Sequence, residues 1–252
     1  MDQGRDRSRP DLATATSPEL SVVVPVYNEG ENITKMLAGL SASLESQSSE
    51  VIVVYDFDED NTVPVVTRLA ASMPFLRLEK NNLGKGVLNA IKTGFAAARG
   101  PFVLVTMADG SDDPREAPLM LDRARAGADV VSASRYMRGG RQEGGPLLKR
   151  TLSRLAGLSL HWVGRIPTHD PTSNYKLYSR RLLEQVTIES EAGFELAIEL
   201  TVKAHLLGMT IAEVPTTWRD RTAGESRFQL RRWLPHYLHW YWLGMLGRIP
   251  WK

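Results

Sequence analysis

The chain has 252 residues, a formal net charge of +2, 42% hydrophobic and 24% charged residues, and no cysteine. A chain of this length buries enough surface to fold without a disulfide or a structural metal. The missing thiols exclude a disulfide framework, a thiolate nucleophile and Cys-ligated zinc, and they fit a reducing compartment. The small net charge argues against a strongly basic nucleic-acid binder.

Residues 1–19 are polar, lack the apolar stretch of a secretory signal, and read as a flexible leader. No uninterrupted apolar run is long enough for a simple transmembrane helix. The nearest segment, residues 233–251, is broken by Pro235, His236, His239, Gly244 and Arg248.

Residues 21–26 (SVVVPV) predict a buried strand, and Ile33, Met36, Leu37, Leu40 and Leu44 then recur at helical spacing. Residues 51–55 (VIVVY) predict a second strand, followed by Asn61-Thr62 as a cap and Pro64 just inside a helix. A short strand is expected over 75–78. Leu83, Val87, Leu88, Ile91 and Phe95 mark the next helix, and 102–107 the next strand. A helix follows Pro114, and 129–134 is a further strand. This alternation predicts an α/β fold, a mostly parallel sheet with helices on both faces. Beyond Tyr136 the pattern loosens. Residues 138–145 (RGGRQEGG) read as a mobile loop, 147–163 and 194–207 as helices, and 175–178 and 210–218 as strands.

In an open parallel sheet, ligands bind beyond the carboxyl ends of the strands. Polar and acidic residues gather there three times: Pro25 to Glu29, Asp56 to Thr62, and Ala108 to Pro114. Any one such cluster alone reads more readily as a solvated turn or helix cap, but three at one sheet edge point to a site. The first strand is not followed by G-x-G-x-x-G, and there is no Walker A sequence, so neither the dinucleotide nor the common nucleoside-triphosphatase plan is supported. Carboxylates in such a cleft suit a hard cation, Mg²⁺ or Mn²⁺, with Asp109 the leading ligand. Asp112 and Asp113 are open between ligand and helix cap.

Pro25-Val26-Tyr27-Asn28-Glu29, the acidic turn at Asp56, Asn82-Leu83-Gly84-Lys85-Gly86 and Asp109 follow the order found in family 2 glycosyltransferases with the GT-A fold. Ser134-Arg135-Tyr136, Asp170-Pro171-Thr172-Ser173-Asn174-Tyr175 and residues 221–227 (RTAGESR) resemble the polyprenyl-phosphate (dolichol-phosphate) mannosyltransferases within it. The resemblance spans about residues 20–228 and implies a catalytic domain there, with 229–252 as a basic, aromatic segment. It places Pro25, Tyr27, Glu29, Asp56 and Lys85 around the nucleotide, and Asp109 in the motif that binds metal and diphosphate. It turns Arg135, Arg221, Ser226 and Arg227 toward the diphosphate or an acceptor phosphate. Two departures stand out. Met107 occupies a position that is usually acidic, so the metal site, built on Asp109, either loses a carboxylate or borrows Ser111, Asp112 or Asp113. The nucleotide turn reads Tyr55-Asp56-Phe57-Asp58 where relatives often carry adjacent acids and Gly-Ser.

The implied reaction is an inverting transfer from a nucleotide sugar, GDP-mannose favoured and a UDP-sugar open, to a polyprenyl or dolichyl phosphate. The metal and the arginines would stabilise the leaving diphosphate. A hydroxyl acceptor would need a general base, for which Asp170 and Glu199 are available, whereas a lipid phosphate is already anionic. A saccharide-directed transferase and a catalytically impaired nucleotide-sugar-binding protein are the alternatives.

From Trp218 onward seven Lys/Arg face two Asp/Glu, and five of the six tryptophans lie there. Aromatic rings with basic flanks suit an anionic membrane interface. A helix from near Pro235 to near Gly247 would be ~18 Å long, too short to span. Such a segment could equally pack in the core or form a dimer. The expected setting is the cytoplasmic face of a membrane, with peripheral attachment and no nucleic-acid partner.

Overall fold

The computed structural model describes residues 17–220 and 230–247. In chain order the elements are β1 (Leu20–Pro25), α1 (Ile33–Ser43), β2 (Ser49–Tyr55), α2 (Thr62–Ala70), β3 (Leu76–Lys80), α3 (Val87–Ala97) and β4 (Phe102–Val105). A 3-10 turn (Pro114–Glu116) leads into α4 (Ala117–Arg125), β5 (Val130–Ser134), β6 (Arg141–Glu143) and α5 (Leu147–Trp162). The chain continues through β7 (Lys176–Ser179), α6 (Arg180–Gln185), α7 (Leu196–Leu206), β8 (Ile211–Pro215), β9 (Thr217–Arg219) and α8 (Leu230–Leu246).

Seven strands form one sheet in the order β3-β2-β1-β4-β7-β5-β8. Only β7 runs antiparallel, wedged between β4 and β5. Every residue of β1 is buried, as a strand covered on both faces requires. Its side chains divide between two cores: Val22 and Val24 join Leu37 and Leu40 of α1, while Val23 joins Ile91 and Phe95 of α3. Gly94 allows α3 to lie this close, because a Cβ there would stand 2.2 Å from Val23 Cγ1. The expected mostly parallel sheet with helices on both faces is what the chain adopts.

Three local expectations are corrected. The segment 138–145 is not simply a loop: β6 pairs in parallel with β9, in register Arg141–Thr217 to Glu143–Arg219, and Arg219 Nε meets Glu143 at 3.1 Å. Its three polar residues carry no apolar alternation, so the glycines at either end dominated the pattern. The stretch 210–218 is two strands, broken at Thr216, which pairs its N–H with Ser134. The last helix begins at Leu230 and holds Pro235 inside it, although proline favours a first turn.

α8 packs against α7 and α5. Trp240 is 3% exposed, and its ring lies 4.9 Å from Lys203 Nζ, while Tyr241 Oη meets Ser159 of α5 at 3.0 Å. Among the described residues, no helix is long and apolar enough to cross a membrane.

Candidate active site

The carboxyl ends of β1 and β2 are tied together by backbone donors of one turn meeting side chains of the other. Asn28 N–H donates to Asp60 at 3.0 Å, Glu29 N–H to Thr62 Oγ1 at 2.9 Å and Gly30 N–H to Asn61 Oδ1 at 2.9 Å. Asn61 therefore braces the first turn and does not cap α2 through its side chain. Asn28 sits at φ +55°, a left-handed conformation that asparagine tolerates. Pro25 ends β1 opposite Val54, and the Glu29 carboxylate accepts from Asn32 Nδ2 at 2.8 Å.

Tyr27 meets Phe57 edge-on at 5.3 Å, and Lys85 Nζ lies 5.1 Å above the Phe57 ring. Asp56 closes this corner: its two oxygens accept from Asn81 Nδ2 at 2.7 Å and Gly86 N–H at 2.9 Å. The sheet thus assembles Pro25, Tyr27, Asp56 and Lys85 at one edge, with an exposed aromatic face and a cation between the strand ends.

The acidic corner lies past β4, which leaves the ladder at Val105. Asp109 Oδ1 accepts from Ser111 N–H at 3.0 Å across a turn in which Gly110 has φ +73°. Asp112 folds back, accepting from Thr106 Oγ1 and Met107 N–H, each at 3.1 Å. Burial, and then the Asp109 charge, push Asp112 up to about 7. Asp113 has a different role: it caps the 3-10 turn, accepting Arg115 N–H at 3.1 Å, and pairs with the Arg115 guanidinium. Ser111 is buried, and its carbonyl accepts Arg219 N–H at 3.0 Å.

A divalent cation at this corner would favour the charged form of Asp112, against the burial that raises it. Among the described residues, no group of three or more His, Cys, Asp or Glu could enclose a metal by itself. A cation here would draw its remaining ligands from a bound diphosphate and water.

Across the corner, Arg135 follows β5 with its side chain 13% exposed. Asp170, fully buried, accepts from Arg135 Nε at 2.7 Å, Nη2 at 2.8 Å and the backbone N–H at 3.1 Å. Burial would raise the Asp170 carboxyl, but the Arg135 charge and hydrogen bonds outweigh it and hold it below its usual value. The guanidinium also stacks 4.9 Å from the Tyr136 ring and reaches Ser153 at 3.3 Å. Asp170 is therefore bound to Arg135. Glu199 is similarly occupied, by Lys203 at 2.7 Å and the N–H groups of Glu189 and Ser190 at 2.6 and 2.9 Å. Arg221, Ser226 and Arg227 lie outside the described residues.

Sequence reasoning passed over Lys176, Phe57 and Asp60. Lys176 left one signal, a lysine inside the strand expected over 175–178. Asp60 looked like one more acid in a turn, and its bond to Asn28 joins residues 32 apart.

The family model for Glycosyl transferase family 2 matches residues 21–187. The polyprenol monophosphomannose synthase of Mycolicibacterium smegmatis is 32% identical over 214 residues, covering 82% of this chain and 79% of that protein. The dolichol-phosphate mannosyltransferase of Pyrococcus furiosus is 28% identical over 241 residues, 92% of this chain, which spans 66% of that relative's length. Among solved structures, the mannosyltransferase PcManGT of Pyrobaculum calidifontis, in complex with GDP-Man and Mn²⁺, superposes with a TM-score of 0.66 at 20% identity, covering 94% of this chain and 67% of that one. The chain belongs to glycosyl transferase family 2 and is a glycosyltransferase with a GT-A-like, mostly parallel sheet.

Proposed function

We propose that the chain transfers mannose from GDP-mannose to a polyprenyl phosphate, as an inverting enzyme docked on a membrane surface. The observation that carries this reading is the convergence, along one sheet edge, of an aromatic nucleotide corner, a pair of carboxylates and a half-buried arginine. The names of the relatives and the GDP-Man complex of PcManGT support the donor and acceptor classes.

In this reading Tyr27 and Asp56 hold the nucleotide, with Pro25 and Glu29 shaping the turn, and Lys85 leaves Phe57 to reach the donor phosphates. Asp109 and Asp112 would hold Mn²⁺ or Mg²⁺, with Ser111 beside them; such a cation neutralises charge growing on the leaving diphosphate. Arg135, joined by Arg221, Ser226 and Arg227, receives the acceptor phosphate, to which a planar guanidinium is matched. Asp170 orients Arg135 and takes no proton, because a phosphate nucleophile needs no base.

The catalytic unit is residues 20–228, and 229–252 attaches it to the membrane. Leu234, Leu238, Trp242 and Leu246 lie exposed along one side of α8 at four-residue spacing. Neighbouring α5 exposes Leu148, Leu152, Leu155 and Trp162 at helical spacing, with Lys149, Arg150 and Arg154 interspersed in its sequence. Apolar stripes with basic neighbours suit an anionic lipid interface. Thermal unfolding with nucleotides and metal tests the donor assignment, since a ligand that binds the folded state raises its melting temperature. GDP with Mn²⁺ is expected to stabilise more than UDP with Mn²⁺; equal or greater stabilisation by UDP overturns the choice of base.

A further inference from the structure

The turn from Asp170 to Ser173 carries two of the groups that grip Arg135, and its backbone is gathered onto one buried ammonium. Lys176 opens β7 and is completely buried. Its Nζ donates to the carbonyl oxygens of Asp170 at 3.1 Å, Pro171 at 3.1 Å and Ser173 at 2.6 Å. Those bonds use all three N–H groups of the ammonium. On the turn's other side, the Asp170 carboxylate and Thr172 Oγ1, at 3.4 Å, reach the Arg135 guanidinium.

The sheet explains why the ammonium is there. Lys176 stands in register with Val105 of β4 and Ser132 of β5, the two strands that lead into the acidic corner and into Arg135. Because β7 runs antiparallel, its first residue lies at the edge where those strands end. An apolar side chain would fit this interior at less desolvation cost. It would, however, take the ammonium donor from the Pro171 and Ser173 carbonyls, at a penalty for each, and leave the Asp170 carbonyl held by Ser132 Oγ alone among side chains, at 2.9 Å.

We propose that Lys176 is a positioning residue for the acceptor phosphate: by fixing three carbonyls of the 170–173 turn, it sets Asp170 and Thr172, and through them the guanidinium of Arg135. This rests on the reading of Arg135 as the phosphate-facing group. Burial lowers the Lys176 ammonium to about 7 despite the opposing pull of Asp170.

Steady-state kinetics on Lys176→Met, Lys176→Gln, Arg135→Gln and the double variants, with GDP-mannose and a short-chain polyprenyl phosphate, test the role. Lys176→Met is expected to lower kcat/KM for the lipid phosphate on the order of 10²-fold, the scale of a displaced binding group. The KM for GDP-mannose and the thermal shift produced by GDP stay at wild-type values. Lys176→Gln keeps N–H donors and recovers part of the loss; it also carries the measurement if the methionine variant fails to fold. In the Arg135→Gln background, replacing Lys176 costs less than about two-fold, because residues acting through one another are not additive. Losses that multiply, or a donor KM that rises with the acceptor KM, overturn the positioning role. A wild-type acceptor KM in Arg135→Gln overturns the phosphate reading and the role built on it. A large loss in Arg135→Gln beside an unaffected Lys176→Met overturns the role alone.

Discussion

Asp112 turns its carboxylate back onto the N–H of Met107, at 3.1 Å, and so places an acid beside the residue that the family resemblance expects to be acidic. The chain thus carries a carboxylate at this corner from five residues further along. Asp113, the neighbouring candidate, is engaged as a cap and by Arg115.

If that carboxylate serves the metal, Asp112→Asn weakens nucleotide binding only when the cation is present. The affinity for GDP in Mn²⁺ is expected to fall at least about ten-fold, ~1.4 kcal/mol. GDP binding without metal stays unchanged. Calorimetric titration with and without Mn²⁺ checks this, and an equal loss in both would assign Asp112 to structure.

Glu50 offers a test of stability away from the site. It is 2% exposed and accepts from Ser21 Oγ at 2.7 Å, Arg99 N–H at 2.8 Å, Arg99 Nε at 2.9 Å and Arg77 Nε at 3.0 Å. Burial raises its carboxyl, but those hydrogen bonds prevail and hold it below 4.5. A carboxylate depressed in the folded state contributes its full stabilisation above its unfolded pKa and loses it as pH falls through the folded value. Glu50→Gln is expected to cost roughly 2–4 kcal/mol at neutral pH. Urea titrations should show this gap narrowing once the pH drops below 4.5. A gap that is constant with pH contradicts the charge-based account.

Gly94→Ala sets helix propensity against packing. Alanine favours a helix interior by ~1 kcal/mol, but its Cβ would stand 2.2 Å from Val23 Cγ1 and 2.9 Å from Cγ2. Both contacts lie in a strand buried on either side, so overpacking outweighs propensity, with a net loss of about 1–2 kcal/mol. Chemical denaturation measures it, and a stabilised variant would contradict the close approach of α3 to β1.

The exposed stripes predict that membrane attachment separates from folding. Leu155 and Trp242 are 61% and 55% exposed. The double substitution Leu155→Glu, Trp242→Glu is expected to abolish flotation with anionic liposomes while shifting the melting temperature little. Undiminished flotation would refute docking through α5 and α8.

The strand-and-helix frame was legible because its residues alternate between buried apolar runs and helical stripes, from Val22 to Ser134. The strand ends were legible as chemistry for the same reason, since polar clusters at Tyr27, Asp56 and Asp109 interrupt apolar runs at equivalent places. What stayed hidden depends on contacts distant in sequence. Nothing local marks Asp60 as the partner of Asn28, or β6 as a strand, since β6 pairs with a segment more than 70 residues away. Asp170 looked like a candidate base because a sequence cannot show that Arg135 occupies both of its oxygens. Trp240 and Trp242 read alike in sequence, yet one is buried against Lys203 and the other faces outward.

The central claim, transfer of a sugar onto a lipid phosphate, is tested most directly by incubating the full chain with radiolabelled GDP-mannose, Mn²⁺ and a polyprenyl phosphate, and partitioning the products. The account predicts label in the organic phase, released as mannose by mild acid, and none from the Asp109→Asn variant. Label that stays in water, or reaches only a saccharide acceptor, or persists in Asp109→Asn would contradict it.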